Sequence, residues 1–285
     1  MSAKLYKILL ILGIVITLSA VPVFVLSYDP PKELEVDFFD VGQGDAILIK
    51  SPMGQNILID GGPDNKVIEE LGKNLPFWDK QIDLMVLTHP HDDHATGLIE
   101  VIKRYSVKKI LYTGVVHGAP NYLAWLEEVR ERKIPLIIID RPQKIVLGDS
   151  CYLDIIYPTK SLLGQEVENL NNSSIVAKLV YGQTKFLLTG DAEAEVEKEL
   201  LDVRVDLSAQ VLKTGHHGSD TSSSEDFLEA VNPKLAVIQV GKDNDFGHPS
   251  LRILKRLERI GAEILRTDIN GAVKIISNGK EIDRK

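Results

Sequence analysis

The six residues His89-Pro-His-Asp-Asp-His94 limit this chain more than any other stretch. Three imidazoles and two carboxylates stand directly after Leu84-Met-Val-Leu87, an apolar run with the length and character of a buried strand. Histidine nitrogen and carboxylate oxygen are the usual ligands of zinc and related divalent cations, and a tight turn can aim alternate residues at two centres a few ångströms apart. His89, His91, Asp93 and His94 are therefore candidate metal ligands, and the fold must hold them on a rigid scaffold.

The rest of the chain supplies such a scaffold. Residues 34–39 and 46–50 read as strands joined by the turn Asp40-Val-Gly-Gln-Gly-Asp45, which is either a plain glycine turn or a loop facing the site. A third strand, 55–59, runs into Asp60-Gly61-Gly62, and a helix is expected over 65–72. Helical spacing resumes at Leu98, Ile99 and Ile102. Strands are then expected at 109–112, 134–139, 144–147, 151–157, 174–181 and 184–188, with a helix at 121–132. Helices at 192–201, 224–231 and 249–260 alternate with strands at 209–213, 235–239, 263–266 and 272–277. Long runs of strand with helices interspersed predict an α/β chain of two sheets face to face, covered outside by helices.

At 44% hydrophobic and 26% charged residues, the chain has material for a real core. A formal net charge of −8 excludes nucleic-acid binding by a basic surface overall, though it leaves local patches open. The single cysteine, Cys151, allows neither an intrachain disulfide nor a thiolate cluster, and its apolar neighbours mark it as a packing residue. No charge occurs from Ile8 to Tyr28, a stretch long enough to cross a bilayer. Lys4 and Lys7 precede it and Asp29, Glu33 and Glu35 follow, so the positive-inside rule places the body outside the cytoplasm. Residues 1–30 are thus expected to be a membrane anchor or a signal peptide with linker, and 31–285 one domain.

The histidine segment resembles the signature of the metallo-β-lactamase superfamily, and further motifs follow in the family's order along residues 34–277. The resemblance implies an αββα four-layer sandwich of two mixed sheets. It makes Asp60 the carboxylate that braces the histidine segment from behind, and Asp191, in Leu187-Leu-Thr-Gly-Asp191, the bridge between two cations. Within the superfamily, four stretches are similar to the extracytoplasmic hydrolase domain of ComEC-type competence proteins and their free-standing relatives, which include phosphorylcholine esterases. These are the turn 40–45, Asn171-Asn-Ser-Ser174, Leu212-Lys-Thr-Gly-His-His-Gly-Ser219 and Phe246-Gly-His-Pro249.

One departure matters. Asn172, a weak and neutral oxygen donor expected at the site, stands where classical members have a histidine, so one cation would have only His89, His91 and Asp191 as firm ligands. The other would have Asp93, His94, Asp191 and one of His216 and His217, of which the resemblance makes His217 the ligand. His216 is then assigned to substrate or to a supporting role. A site with few imidazoles can take manganese as readily as zinc, and two divalent ions, Zn2+ or Mn2+, are expected. His248 either donates a proton to a leaving group or caps the next helix, and His117 reads as a loop residue. Arg252, Lys255, Arg256 and Arg259 form either a solvated face or a track for phosphates.

The activity implied is hydrolysis by a metal-bridging hydroxide that Asp93 helps orient. The expected substrate is a phosphodiester, with DNA as the polymer; a phosphocholine, lactone or amide substrate and a non-catalytic module of a DNA-uptake or surface complex are the alternatives. The membrane is an expected partner through residues 8–28, and no protein partner is predictable.

Overall fold

The computed structural model describes residues 33–285. The expected anchor or signal peptide, with its apolar run 8–28, lies outside the described residues. Among the described residues, no helix is long and apolar enough to cross a membrane.

Strands β1 (Leu34–Phe38), β2 (Ile47–Lys50) and β3 (Asn56–Ile59) are apolar on both faces because both are covered. Alternate residues point to opposite sides of a strand. Val36, Phe38, Ile47, Ile49, Ile57 and Ile59 accordingly enter one core, while Leu48 and Leu58 enter another. β4 (Gln81–Ile82) and β6 (Ser106–Val107) make a separate two-stranded ribbon. β5 (Leu84–Val86), β7 (Ile110–Tyr112) and β8 (Leu136–Ile138) continue from β3 in parallel.

The second sheet begins with the antiparallel run β9 (Gln143–Gly148), β10 (Cys151–Tyr157), β11 (Val176–Tyr181) and β12 (Thr184–Leu188). β13 (Val211–Lys213), β14 (Leu235–Ile238) and β15 (Glu263–Arg266) extend it in parallel. The chain then returns to the first sheet as β16 (Val273–Ser277) and β17 (Ile282–Arg284). The sheets therefore contain eight and seven strands, each part antiparallel and part parallel.

Three helices, Lys66–Asn74, Asp92–Arg104 and Pro120–Glu131, cover the first sheet through Val67, Leu71, Leu98, Val101 and Trp125. Ala194–Asp202, Glu225–Val231 and Leu251–Arg259 cover the second through Val196, Leu200, Phe227 and Leu257. Between the sheets lies the core that Val36, Phe38 and Ile47 enter, which also includes Cys151; burial pushes that thiol up to about 12, as befits a packing residue. The layers run helix, sheet, sheet, helix.

Two expectations need correction. The histidine segment is only partly a loop, since the helix begins at Asp92. Asp92 and Asp93 fall in its first turn, where carboxylates favour a helix N-terminus. The helix expected from 249 begins at Leu251, and Ser250 Oγ accepts from the Ile253 N–H at 3.3 Å, so His248 is not its cap.

Candidate metal centre

Both sheets aim the C-terminal ends of parallel strands at one place, where α/β sheets commonly form their sites. β3 delivers Asp60 and β5 delivers the histidine segment; β12 delivers Asp191 and β13 delivers His216 and His217. Close packing fixes the first group. A Cβ on Gly97 would come within 1.9 Å of the Gly61 carbonyl oxygen, so the helix carrying Asp93 and His94 rests directly on the turn after Asp60. Backbone hydrogen bonds from Gly61 N to His94 O (2.8 Å) and from Gly97 N to Gly62 O (3.0 Å) hold the two together.

The donor atoms of Asp93, His94, Asp191 and His217 all lie within 4.8 Å of one another. Asp191 Oδ2 is 3.3 Å from Nε2 of both His94 and His217, and 4.0 Å from His89 Nε2. His89 Nε2 lies in turn 3.1 Å from His91 Nδ1. One oxygen of Asp191, Oδ2, is thus approached by three imidazoles, His94, His217 and, at the greatest distance, His89. Each imidazole that turns Nε2 toward Asp191 is held from behind. His94 Nδ1 donates to Asp60 Oδ2 at 2.8 Å, and His217 Nδ1 donates to the Gln239 carbonyl at 2.9 Å. His89 Nδ1 pairs with the hydroxyls of Thr88 (3.1 Å) and Ser174 (3.2 Å). Such outer partners fix ring orientation in metal sites.

Electrostatics point the same way. Burial opposes charge on His94 and His217, but Asp191 and neighbouring carboxylates outweigh it and hold both imidazoles well above their usual range. Burial likewise opposes the charge on Asp191, and those imidazoles hold it well below. His89, with less carboxylate support, is driven well down by burial. His94 Nε2 and Asp191 Oδ1 are buried without a hydrogen-bond partner. Buried atoms of this kind need compensation, and nitrogen and carboxylate donors are suited to a divalent cation.

The structure brings together His89, His91, Asp93, His94, Asp191 and His217, with Asp60 wholly buried behind His94. His216 lies at the edge, its Nδ1 3.0 Å from Glu193 Oε1, and His248 faces it at 5.6 Å between ring centroids. Both line an open cavity of about 390 Å³ above the donors, together with His117 and Phe246. His117, read from sequence as a loop residue, comes within 6.5 Å of the His91 ring.

Asn172 is placed differently from the expectation. Its Oδ1 accepts from the Glu193 N–H at 3.0 Å and its Nδ2 donates to Glu195 at 3.1 Å, so the amide braces the start of a helix and is absent from the cavity wall. Asn171 is the neighbour that approaches His216, at 3.4 Å. The basic face is also largely engaged: Arg259 pairs with Glu225 at 3.0 Å, Arg256 donates to the Ser223 carbonyl at 3.1 Å, and Arg252 lies 3.9 Å from Asp220.

Two residues went unassigned in the sequence reading. Lys213 is fully buried, 2.5 Å from Asp45 Oδ2 and 3.6 Å from Asp191 Oδ1. Asp45 also lies 3.4 Å from His217 Nδ1, so the turn 40–45 does face the site. The signal was there: a lysine inside the apolar strand Val211-Leu-Lys213 must have a buried acidic partner.

A two-sheet sandwich with this donor cluster at its parallel-strand ends defines the chain as a metal-dependent hydrolase. The family model of the Metallo-beta-lactamase superfamily matches residues 39–242, and the chain belongs to that superfamily. It is similar to ComE operon protein 3 of Bacillus subtilis (32% identity; 85% of this chain, 33% of the relative). It is also similar to competence protein ComA of Neisseria gonorrhoeae (29%; 86% and 32%). The chain therefore spans about a third of the length of either relative. Among solved structures, the metallo-beta-lactamase fold protein YhfI from Bacillus subtilis shares the fold, with TM-score 0.56, 11% identity, and coverage of 85% of this chain and 99% of that one.

Proposed function

We infer that this chain is an extracytoplasmic phosphodiesterase with two divalent cations, and that DNA is its substrate. The observation that carries the two-ion reading is Asp191, whose Oδ2 is approached by His94 and His217 at 3.3 Å and by His89, the neighbour of His91, at 4.0 Å. In this reading His89, His91 and Asp191 hold one ion, and Asp93, His94, Asp191 and His217 hold the other. When bound, divalent cations supply the Lewis acidity that activates water and neutralises charge developing on a substrate oxygen. Zinc and manganese both suit these nitrogen and carboxylate donors.

The chain's own residues do the rest. Asp60 holds the His94 ring with Nε2 inward, and Asp93, partly exposed on the cavity wall, is placed to orient the attacking water. His216 and His248, at the opposite rim, orient the substrate, and His248 can pass a proton to the leaving group. Similarity to competence proteins supports DNA as the polymer. The apolar run 8–28 and its flanking charges support an anchor or signal peptide that puts the body outside the cytoplasm.

A second reading, a small phosphodiester such as a phosphocholine ester, is favoured by one feature: neither lysine nor arginine lines the 390 Å³ cavity. The test is metal-dependent turnover by the purified full chain of single-stranded DNA, duplex DNA and bis-p-nitrophenyl phosphate. Metal-dependent cleavage of DNA is the expected result; cleavage of the small diester with DNA left intact at low salt would give the site to a small substrate. Protease added to protoplasts should digest the body, and protection until lysis would reverse the orientation.

A further inference from the structure

The end of the body opposite the donor cluster carries an apolar feature that no core uses. The loop between the Lys66–Asn74 helix and β4 presents Phe77 and Trp78 at 82% and 64% exposure. Their rings meet edge to face with centroids 4.8 Å apart. The loop itself is fixed: Asp79 accepts from Asn56 Nδ2 at 2.8 Å and from the Gln81 N–H at 3.1 Å, and Lys50 Nζ donates to the Asn74 carbonyl at 3.0 Å. An ordered loop thus displays two adjacent large aromatic side chains to solvent, an arrangement that marks contact with another phase or molecule.

Strand direction gives the position of this patch. β3 ends at the donor cluster, so Asn56 at its start lies about 13 Å down the strand from Asp60. Lys80 precedes β4, and Lys108 and Lys109 precede β7, which runs parallel to β5; all three lysines are exposed at this same end. Asp79 and Asp83, the acids that flank Lys80, are turned inward and taken up by Asn56 and Gln81, while Glu33 stays exposed at the start of the described chain. The described chain also begins here, since Glu35 pairs with Lys50 and Lys50 with Asn56. The sequence before it contains the 21 uncharged residues 8–28.

We propose that this end of the body rests on an anionic lipid surface, with Phe77 and Trp78 at headgroup level and Lys80, Lys108 and Lys109 against lipid phosphates, so that the donor cluster faces away from the bilayer. Indole suits the boundary because one part of the ring is apolar and its N–H remains hydrated. Lysines just outside it add attraction to anionic headgroups. The inference is independent of which substrate the site cleaves.

The test uses the full chain in phosphatidylglycerol vesicles whose acyl chains are brominated at a shallow position. The chain has two tryptophans, and the other, Trp125, is fully buried in the body. Bromine should remove roughly half of the wild-type emission, as expected for one tryptophan at the interface, and none from Trp78→Phe. The emission maximum of Trp125 in that variant reports that it is folded. Combined Lys80→Glu, Lys108→Glu and Lys109→Glu should weaken the quenching, as should phosphatidylcholine in place of phosphatidylglycerol. Wild-type emission untouched by bromine and open to aqueous acrylamide in vesicles overturns the proposal and leaves the aromatic pair to a protein partner. Equal quenching in the two lipids overturns the anionic surface.

Discussion

Asp191 and Asn172 were assigned related duties from sequence, and the structure separates them. Asp191 Oδ2 is approached by His89, His94 and His217, so Asp191→Ala should abolish binding of both ions; Asn172→Ala should keep them and lose about 1–2 kcal/mol of stability, as expected for its two side-chain hydrogen bonds, one of them exposed. Metal stoichiometry and denaturant unfolding of the two variants check this, and equal metal loss would return Asn172 to the site. The imidazoles give a second prediction. Without metal, His94 and His217 have pKa values raised well above the usual range by their carboxylates, and each must shed its proton before Nε2 can accept a cation. A raised pKa means that protons compete further up the pH scale, so affinity for manganese should rise from pH 6 to pH 8, with proton release on binding. Titration calorimetry in buffers of different ionisation enthalpy measures both, and pH-independent affinity would contradict the assignment. At this scale the candidate donors were legible in the sequence, because six of them sit in recognisable local patterns. It did not show the partnership of Asp45 and Lys213, which are far apart in the chain and meet only when the first sheet, with the turn before β2, is packed against the second, with β13.

The elements were legible where periodicity was strong. β10, β12 and β15 fall where alternation and apolar runs put them, the helix over 120–131 is shifted by one residue from expectation, and that over 225–231 starts one residue late. The two-residue strands β4 and β6 and the polar strand β17 escaped notice because so few side chains make no pattern. The start of the Asp92–Arg104 helix was also obscured, since its first turn is made of the residues that looked like a metal-binding loop. That helix depends on a contact that no pattern shows, the seating of Gly97 on Gly61. Gly97→Ala would force the helix off the turn, and overpacking of this kind typically costs about 1–3 kcal/mol. The variant should be less stable and bind metal more weakly, because Asp93 and His94 move with the helix; unchanged metal affinity would show that the turn can yield.

At the scale of the molecule, resemblance made the four-layer order legible, while the orientation of the two sheets needed coordinates. Their meeting edge is where the candidate centre lies. His89, His91, Asp93 and His94 belong to the first sheet and its helix, whereas Asp191 and His217 belong to the second. Ions bound there would work as a rivet through the seam, opposing any motion that parts one half-molecule from the other. A ligand held only by the folded state stabilises it by about 2.7 kcal/mol at a hundred times its dissociation constant. Thermal unfolding should therefore shift upward with free manganese or zinc in wild type and stay put in Asp191→Ala, and a wild-type midpoint indifferent to metal would deny the rivet. Were the body to face the outside of a cell, as we propose, its cohesion would follow the mineral content of the surroundings, making scarcity of a trace element a mechanical as well as a chemical deprivation.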